Sequence, residues 1–372
     1  MSQLSAFVDA NTGLIIYVIS AGLLSFMLCL FAPQIGKSLG LVDDPSAKSH
    51  SLHDKTTPLV GGLAIMVPWI LLAKLDPILA EFFVAPDGGG YSAFWLSFFV
   101  LIFMLIGLID DRFHLSALAR LMIMAPLFAL FIVGYPSFAI DKLTAPSFGI
   151  SVPLGLLTAP FTALCLLAVT NAINMADGRN GLVIGMSIVW CLTLTLHVPP
   201  QLQLLLYAAI ASLLVTGLFN LRGRLFLGDG GTYALSAMIG LISLYAHGMP
   251  FGEGGISSPQ LAALFAIPGL DMFRLMLARQ VRGVSPMSGD HDHLHHRFER
   301  YMGWRLGLPA YLALVCGPIL IAFSDPKMGA VGLISAVCLY GAAWLVTRKY
   351  QQRQFTAGGS GAANPPSSPL GD

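Results

Sequence analysis

Two adjacent carboxylates close an apolar run at Leu108-Ile109-Asp110-Asp111-Arg112, and a further acid stands among glycines in Phe226-Leu227-Gly228-Asp229-Gly230-Gly231. Paired acids at the end of an apolar helix repel each other and face the negative end of the helix dipole, so they call for a cation. Mg²⁺ answers that call, because it takes oxygen ligands and keeps substrate phosphates in its shell. A solvated helix end paired with Arg112 is the competing account of Asp110 and Asp111. Glycines around Asp229 let a metal-bound phosphate come close to the backbone, whereas a plain N-cap needs no ligand.

Three more polar clusters interrupt the apolar sequence. In Thr170-Asn171-Ala172-Ile173-Asn174-Met175-Ala176-Asp177-Gly178-Arg179-Asn180-Gly181, Asn171 and Asn174 share one helical face and run into a tight glycine-containing turn. Such a turn aims amides and backbone N–H groups at one point, as a phosphate or nucleobase requires; an Asx-capped turn is the plain alternative. In Asp290-His291-Asp292-His293-Leu294-His295-His296-Arg297, four of the nine histidines fall within six residues. They suit either a transition metal or a diphosphate. The absence of cysteine and the arginines that follow favour diphosphate contact. The segment Lys48-Ser49-His50 through Pro58 and Gly61-Gly62 is basic, and by itself suits anionic headgroups.

The elements that must position these clusters are membrane helices. Of 372 residues, 56% are hydrophobic and 10% charged, against about 25% charged in a soluble domain. Apolar windows of spanning length recur near 13–32, 59–75, 93–109, 121–134, 157–173, 181–197, 202–219, 231–247, 259–276, 306–323 and 328–347. They predict an all-α integral membrane protein, a polytopic bundle of about eleven transmembrane helices. The runs are continuous rather than alternating, which excludes a membrane barrel. Residues 135–160, with four prolines, are expected to hold a short strand pair or a re-entrant piece. The first window has no basic leader or small-residue cleavage site, so it reads as a retained helix.

With the N-terminus outside and the C-terminus inside, only Lys74, Lys142 and Lys327 of the twenty Lys and Arg residues fall in outer connections. That bias sets N-out/C-in, and places the five polar clusters on the cytoplasmic side. Residues 1–350 form one catalytic membrane domain, and 351–372, rich in Gly, Ser, Pro and Ala, read as a disordered cytoplasmic tail. The five cysteines lie in apolar segments with no metal or disulfide spacing. A net charge of +1 argues against a nucleic-acid partner.

In this order, Asp110-Asp111, the Asn171 to Leu182 run, Phe226-Leu227-Gly228-Asp229 and His293-Leu294-His295-His296 resemble four motifs of the polyprenyl-phosphate N-acetylhexosamine-1-phosphate transferases (glycosyltransferase family 4). The resemblance covers residues 13–347. Pro268-Gly269-Leu270-Asp271-Met272, Arg279, Ser285-Pro286 and the histidine run look like its N-acetylglucosaminyl branch. The resemblance implies Mg²⁺, with Mn²⁺ as the alternative ion, held by Asp111 and Asp229. It implies that Asp110 deprotonates or positions the lipid phosphate and that Phe226 stacks on uracil. Asn171, Asn174, Asp177 and Asn220 would line the nucleotide site, and His293, His295, His296 and Arg297 would meet phosphates. Asn180 stands where the family commonly has a second Asp, so an amide rather than a carboxylate would read uracil or sugar there. In the first inner loop Lys48 and His50 keep the local motif, whereas His53 keeps the distance to Pro58.

The implied partners are a UDP-sugar donor, a polyprenyl phosphate acceptor and the membrane, with a homodimer open as the assembly. The implied location is a bacterial inner membrane with the site facing the cytoplasm, and the implied pathway is a surface polysaccharide such as lipopolysaccharide O-antigen. A nucleotide-sugar or polyprenol transporter is the non-enzymatic rival, but its polar groups belong near the bilayer midplane. A prenyltransferase shares the carboxylate logic and leaves Phe226 and the histidines unexplained.

Overall fold

The computed structural model describes residues 2–43, 56–75, 83–84, 90–91, 93–285 and 292–358. Its helices are α1 (Ser2–Leu30), α2 (Ala32–Leu39), α3 (Gly61–Leu75), α4 (Ala93–Phe113), α5 (Ala117–Gly134), α6 (Thr158–Ala176) and α7 (Leu182–Leu194). They continue as α8 (Pro200–Asn220), α9 (Gly228–Gly248), α10 (Ser258–Leu264), α11 (Ala266–Val281), α12 (Leu294–Met302), α13 (Trp304–Ala322) and α14 (Gly329–Gly358). Each of the eleven apolar windows falls on a helix, the ninth on the pair α10 and α11; α2 and α12 lie outside the windows.

Among the described residues five helices are long and apolar enough to cross a membrane, or up to seven spans if each bent pair counts as one. The architecture is that of a polytopic helical membrane protein, although α3 and α7 are apolar helices of less than spanning length. Eleven crossings therefore exceed what helix length and composition establish. The last helix runs on to Gly358, past Gln351 where composition ends it, because Gln351, Gln352, Arg353 and Gln354 are themselves good helix formers. The rest of the tail, 359–372, lies outside the described residues.

The breaks have local causes. The chain bends by 63° between α1 and α2, where Pro33 stands in the first turn of α2, and by 73° between α10 and α11. Pro268 lies in the first turn of α11, where a missing N–H costs nothing. The break strands carbonyls in an apolar interior, and Trp190 Nε1 donates to Leu264 O at 2.7 Å to satisfy one of them. Residues 135–160 form the expected strand pair, Lys142–Ala145 against Ile150–Pro153. Thr144 N donates to Ser258 Oγ (2.8 Å), hooking this hairpin to the start of α10.

The helix that organises the site is α9, buried without a break from Gly230 to Leu244 and packed along α4. A Cβ on Gly107 of α4 would overlap the Asp229 carbonyl, and one on Gly230 would meet Leu108. Only bare glycines let the two backbones touch, and this contact brings the acids at the end of α4 to the start of α9. Gly61 N and Gly62 N donate to Phe226 O (2.9 Å) and Leu227 O (3.0 Å), while Phe226 N donates to Pro58 O (2.9 Å). The Pro and Gly-Gly start of α3 is thereby laced to the Phe226–Gly231 loop. Further out, Ser25 and Thr216 hydroxyls at 3.1 Å join α1 to α8. Ring pairs Phe99–Phe131 and Phe103–Phe128, both at 4.4 Å, join α4 to α5.

Candidate active site

Asp111 Oδ1 and Oδ2 accept the backbone N–H groups of Asp229 (2.9 Å) and Gly230 (3.0 Å). The acid at the end of one helix thus caps the start of another, and the orphan amides of α9 hold its orientation. Asp229 itself projects to Asn174, whose Nδ2 donates to its Oδ1 and also to Thr232 Oγ1 at 3.1 Å. Asp177, at the C-terminal cap of α6, has its carboxyl pushed up to about 8 by desolvation, with the charges of Asp229 and Asp111 adding to it. Three acids from three elements therefore repel one another at one place.

Asp110 stands beside that cluster, and its charge, after desolvation, is what raises the Asp229 carboxyl. Asp110 is 3% exposed, and its carboxylate accepts from Tyr233 Oη (2.6 Å), Leu115 N (2.8 Å) and Arg120 (3.3 Å). With three donors engaged, Asp110 is buried and anchors Arg120 and Tyr233 beside the other acids. Arg112 pairs with neither acid and donates to Leu39 O beside the left-handed Gly40. Sequence reasoning missed Arg120 and Tyr233. The helical spacing of Tyr233 from Asp229, one turn on in α9, was the signal that could have found the tyrosine.

Asn220 is held by backbone on both sides of its amide. Its Oδ1 accepts Gly181 N (2.6 Å) and its Nδ2 donates to Leu225 O (3.0 Å). Both ends of a buried amide are spent on backbone, so it pins the turn after α6 to the loop before α9. The Asn171 amide donates to Leu167 O within its own helix. Asn180 lies in the same turn, where its carbonyl accepts Trp304 Nε1 at 2.9 Å. Phe226 is half-buried in the loop before α9. Lys48 and His50 lie outside the described residues, as does His53.

The histidines reach the acids through α12. A Cβ on Gly178 would overlap His295 Nε2, so the glycine beside Asp177 exists at the closest approach of the two segments. His295 is 1% exposed. Burial first, and then the neighbouring His296 and His293, hold its imidazole neutral. Among the described residues neither of its ring nitrogens has a hydrogen-bond partner, so both are open to a substrate group or a water. The three rings sit together, His293 stacked on His295 at 5.1 Å and His296 at 4.2 Å from His295. Arg179 pairs with Glu299, tying the Asp177 turn to α12. Arg297 is buried behind the rings, donating to Asp292 at 5.6 Å from the Trp344 ring.

Two metal chemistries can be weighed on these contacts. Asp271, His293 and His295 offer ligand atoms within 4.8 Å of one another. Asp271 already accepts from Arg274 and Tyr340 on Oδ1, faces His293 with Oδ2 and takes the Leu294 N–H, so a cation shared with His293 would have to replace their hydrogen bond. Asp111 and Asp229 raise the Asp177 carboxyl by their charges, Arg120 offsets part of the charge on Asp229, and hard carboxylate oxygens of this kind suit Mg²⁺.

The sequence profile of glycosyl transferase family 4 matches residues 93–247, which carry all four site acids. Among curated proteins, the undecaprenyl-phosphate alpha-N-acetylglucosaminyl 1-phosphate transferase of Escherichia coli (strain K12) is 28% identical over 344 residues, 88% of this chain and 86% of that protein. The corresponding protein of Yersinia pestis is 29% identical over 294 residues, 75% and 74% of the two chains. The probable undecaprenyl-phosphate N-acetylglucosaminyl 1-phosphate transferase of Bacillus subtilis (strain 168) is 27% identical over 292 residues, 76% and 77% of the two.

Proposed function

The chain belongs to glycosyl transferase family 4, and on that premise we propose that it transfers N-acetylglucosamine 1-phosphate from UDP-N-acetylglucosamine to undecaprenyl phosphate. The observation that carries this reading is the meeting of Asp111, Asp229 and Asp177 beneath His295. An anionic diphosphate needs a cation on one side and neutral or cationic donors on the other, and these two groups of residues offer that pair of faces.

Phosphoryl transfer asks the protein for positioning and charge neutralisation more than for covalent help. Asp111 and Asp229 would hold Mg²⁺, which when bound would neutralise charge on the diphosphate. An oxygen of the lipid phosphate attacks the sugar-bearing phosphorus; the new P–O bond forms as the bond to the bridging oxygen breaks, and UMP leaves with that oxygen. Asn174 holds Asp229 in place, and Asp110 fixes Arg120 and Tyr233 at the edge of the acids. His293, His295 and His296 bind phosphate oxygens, and Phe226 stacks on uracil.

The acceptor brings a long apolar tail, and an apolar cavity of about 490 Å³ lies between α6, α9 and α10, lined by Phe161, Cys165, Val169, Gly240, Leu261 and Phe265. Gly240 follows Asp229 by eleven residues, roughly 16 Å along the helix. A tail threaded there leaves its phosphate at the acids. The chemistry then occurs at the cytoplasmic face of a bacterial inner membrane, opening a surface polysaccharide pathway such as that of O-antigen.

The deciding assay measures labelled sugar phosphate transferred from a panel of UDP-sugars to undecaprenyl phosphate, with and without Mg²⁺, alongside UMP. Labelled lipid with equimolar UMP only in the presence of the ion bears the reading out and names the sugar. No transfer from any donor sinks it.

A further inference from the structure

Asp271 lies in the second turn of α11, 4% exposed, and donors surround its carboxylate. Oδ1 accepts from Tyr340 Oη (2.8 Å) and Arg274 (3.1 Å), Oδ2 faces His293 Nδ1 (3.0 Å), and the Leu294 N–H reaches both oxygens at 3.2 Å. A carboxylate against a guanidinium accepts and does not donate. The hydrogen between Asp271 and His293 therefore belongs to Nδ1, and Nε2 is the nitrogen left to act.

The same carboxylate does a second job. The residue before α12 is His293, whose side chain makes no capping bond; Asp271 supplies the missing acceptor at Leu294 N from a different helix. Arg274 donates to Asp292 O and Asp292 Oδ2 (3.0 Å), which secures the chain just ahead of α12. The direction of α12 and the tautomer of its leading ring thus hang on one acid. That ring stacks on His295, which lies against Gly178 beside Asp177.

We propose that Asp271 is a positioning residue of the transfer reaction: it holds His293 in the Nδ1–H tautomer and presents Nε2 to the phosphate groups of the substrate. The substrate's identity rests on the function proposed above; the tautomer does not. An outer partner that orients a metal-bound histidine is typically worth about 10–100-fold in activity, and that scale is expected here.

The test uses the full chain, labelled with nitrogen-15 histidine and reconstituted in lipid nanodiscs at pH 8, where an ordinary imidazole is neutral. Signals of His293 are assigned by their loss in His293→Gln. The expected parent spectrum has the proton on Nδ1. In Asp271→Asn the single remaining oxygen stays with Tyr340 and Arg274, the amide NH₂ turns to Nδ1, and the proton moves to Nε2. Kinetically, Asp271→Asn should lower kcat about 10–100-fold with KM for the UDP-sugar within about twofold. The double variant Asp271→Asn/His293→Gln should be no slower than His293→Gln alone. A parent proton on Nε2 overturns the proposal even where Asp271→Asn does not fold, and so do losses that multiply in the double variant. A parent that transfers no sugar phosphate removes the functional reading, while the nitrogen spectra still decide the tautomer.

Discussion

At the scale of single residues, charge separates from geometry most cleanly at Asp111. Its oxygens cap Asp229 N and Gly230 N, and an asparagine keeps one of those acceptors while losing the charge. Asp111→Asn should therefore fold and lose about 10²–10³-fold or more of kcat, the scale of one preorganised electrostatic group, with a weaker apparent Mg²⁺ affinity. Normal turnover and an unchanged Mg²⁺ titration would remove Asp111 from the ion. Asp177 makes a linked prediction about stability. Its carboxyl is raised to about 8 by desolvation and by Asp229 and Asp111, so the folded chain binds a proton that the unfolded chain releases near pH 4. Stability of the metal-free protein should then fall as pH rises from about 4 to 8. Added Mg²⁺ should raise Tm more at pH 8 than at pH 5, and equal shifts at both would contradict the cluster. Phe226, half-buried in the loop before α9, should on change to Ala raise KM for the UDP-sugar by about 5- to 150-fold with little effect on the lipid KM, as loss of one base stack of about 1–3 kcal/mol requires.

Elements meet in this protein through glycines, and the site depends on how closely they do. Gly107 lets α4 touch α9 at Asp229, and Gly178 lets the turn after α6 touch α12 at His295. The two contacts predict different failures. Gly107→Ala forces backbone apart inside the bundle and should lower both Tm and activity. Gly178→Ala meets only an imidazole edge, so Tm should change little while kcat falls; equal losses of stability at the two positions would show that Gly178 is scaffold alone. Asn220 belongs to this scale as well, since its amide ties the turn at Gly181 to the loop at Leu225. Its loss would act through the placement of Phe226 rather than through a contact with the nucleotide.

For the whole molecule, the acids lie at one end of the bundle, and the hairpin Lys142–Ala145 with Ile150–Pro153 is joined to α10 beside the distal mouth of the apolar cavity. Bulk inside the cavity should separate lipid from nucleotide. Cys165→Trp is expected to raise KM for undecaprenyl phosphate by about tenfold while leaving KM for the UDP-sugar within twofold, and a short-chain acceptor should be less affected. A loss shared equally by both substrates would mean that the tail runs elsewhere.

Helix placement, the membrane class and the choice of acids were readable from the chain itself, because apolar run length and isolated charge are local properties. Asp111, Asp229 and Asp177 were singled out as isolated polar groups and given roles by the family resemblance; in the fold the charges of Asp111 and Asp229 both act on Asp177. Pairing was not readable. The partners of Asp110 include Tyr233, 123 residues away, and those of Asn220 include Gly181 N, neither of which spacing in the sequence reveals. Asp271 was visible in sequence only as part of a family-like run, since its value comes from His293, 22 residues on and in another helix. Sequence determines which groups exist and which helix carries them; only the packing of those helices decides which lone pairs are already taken, and so which remain for a substrate.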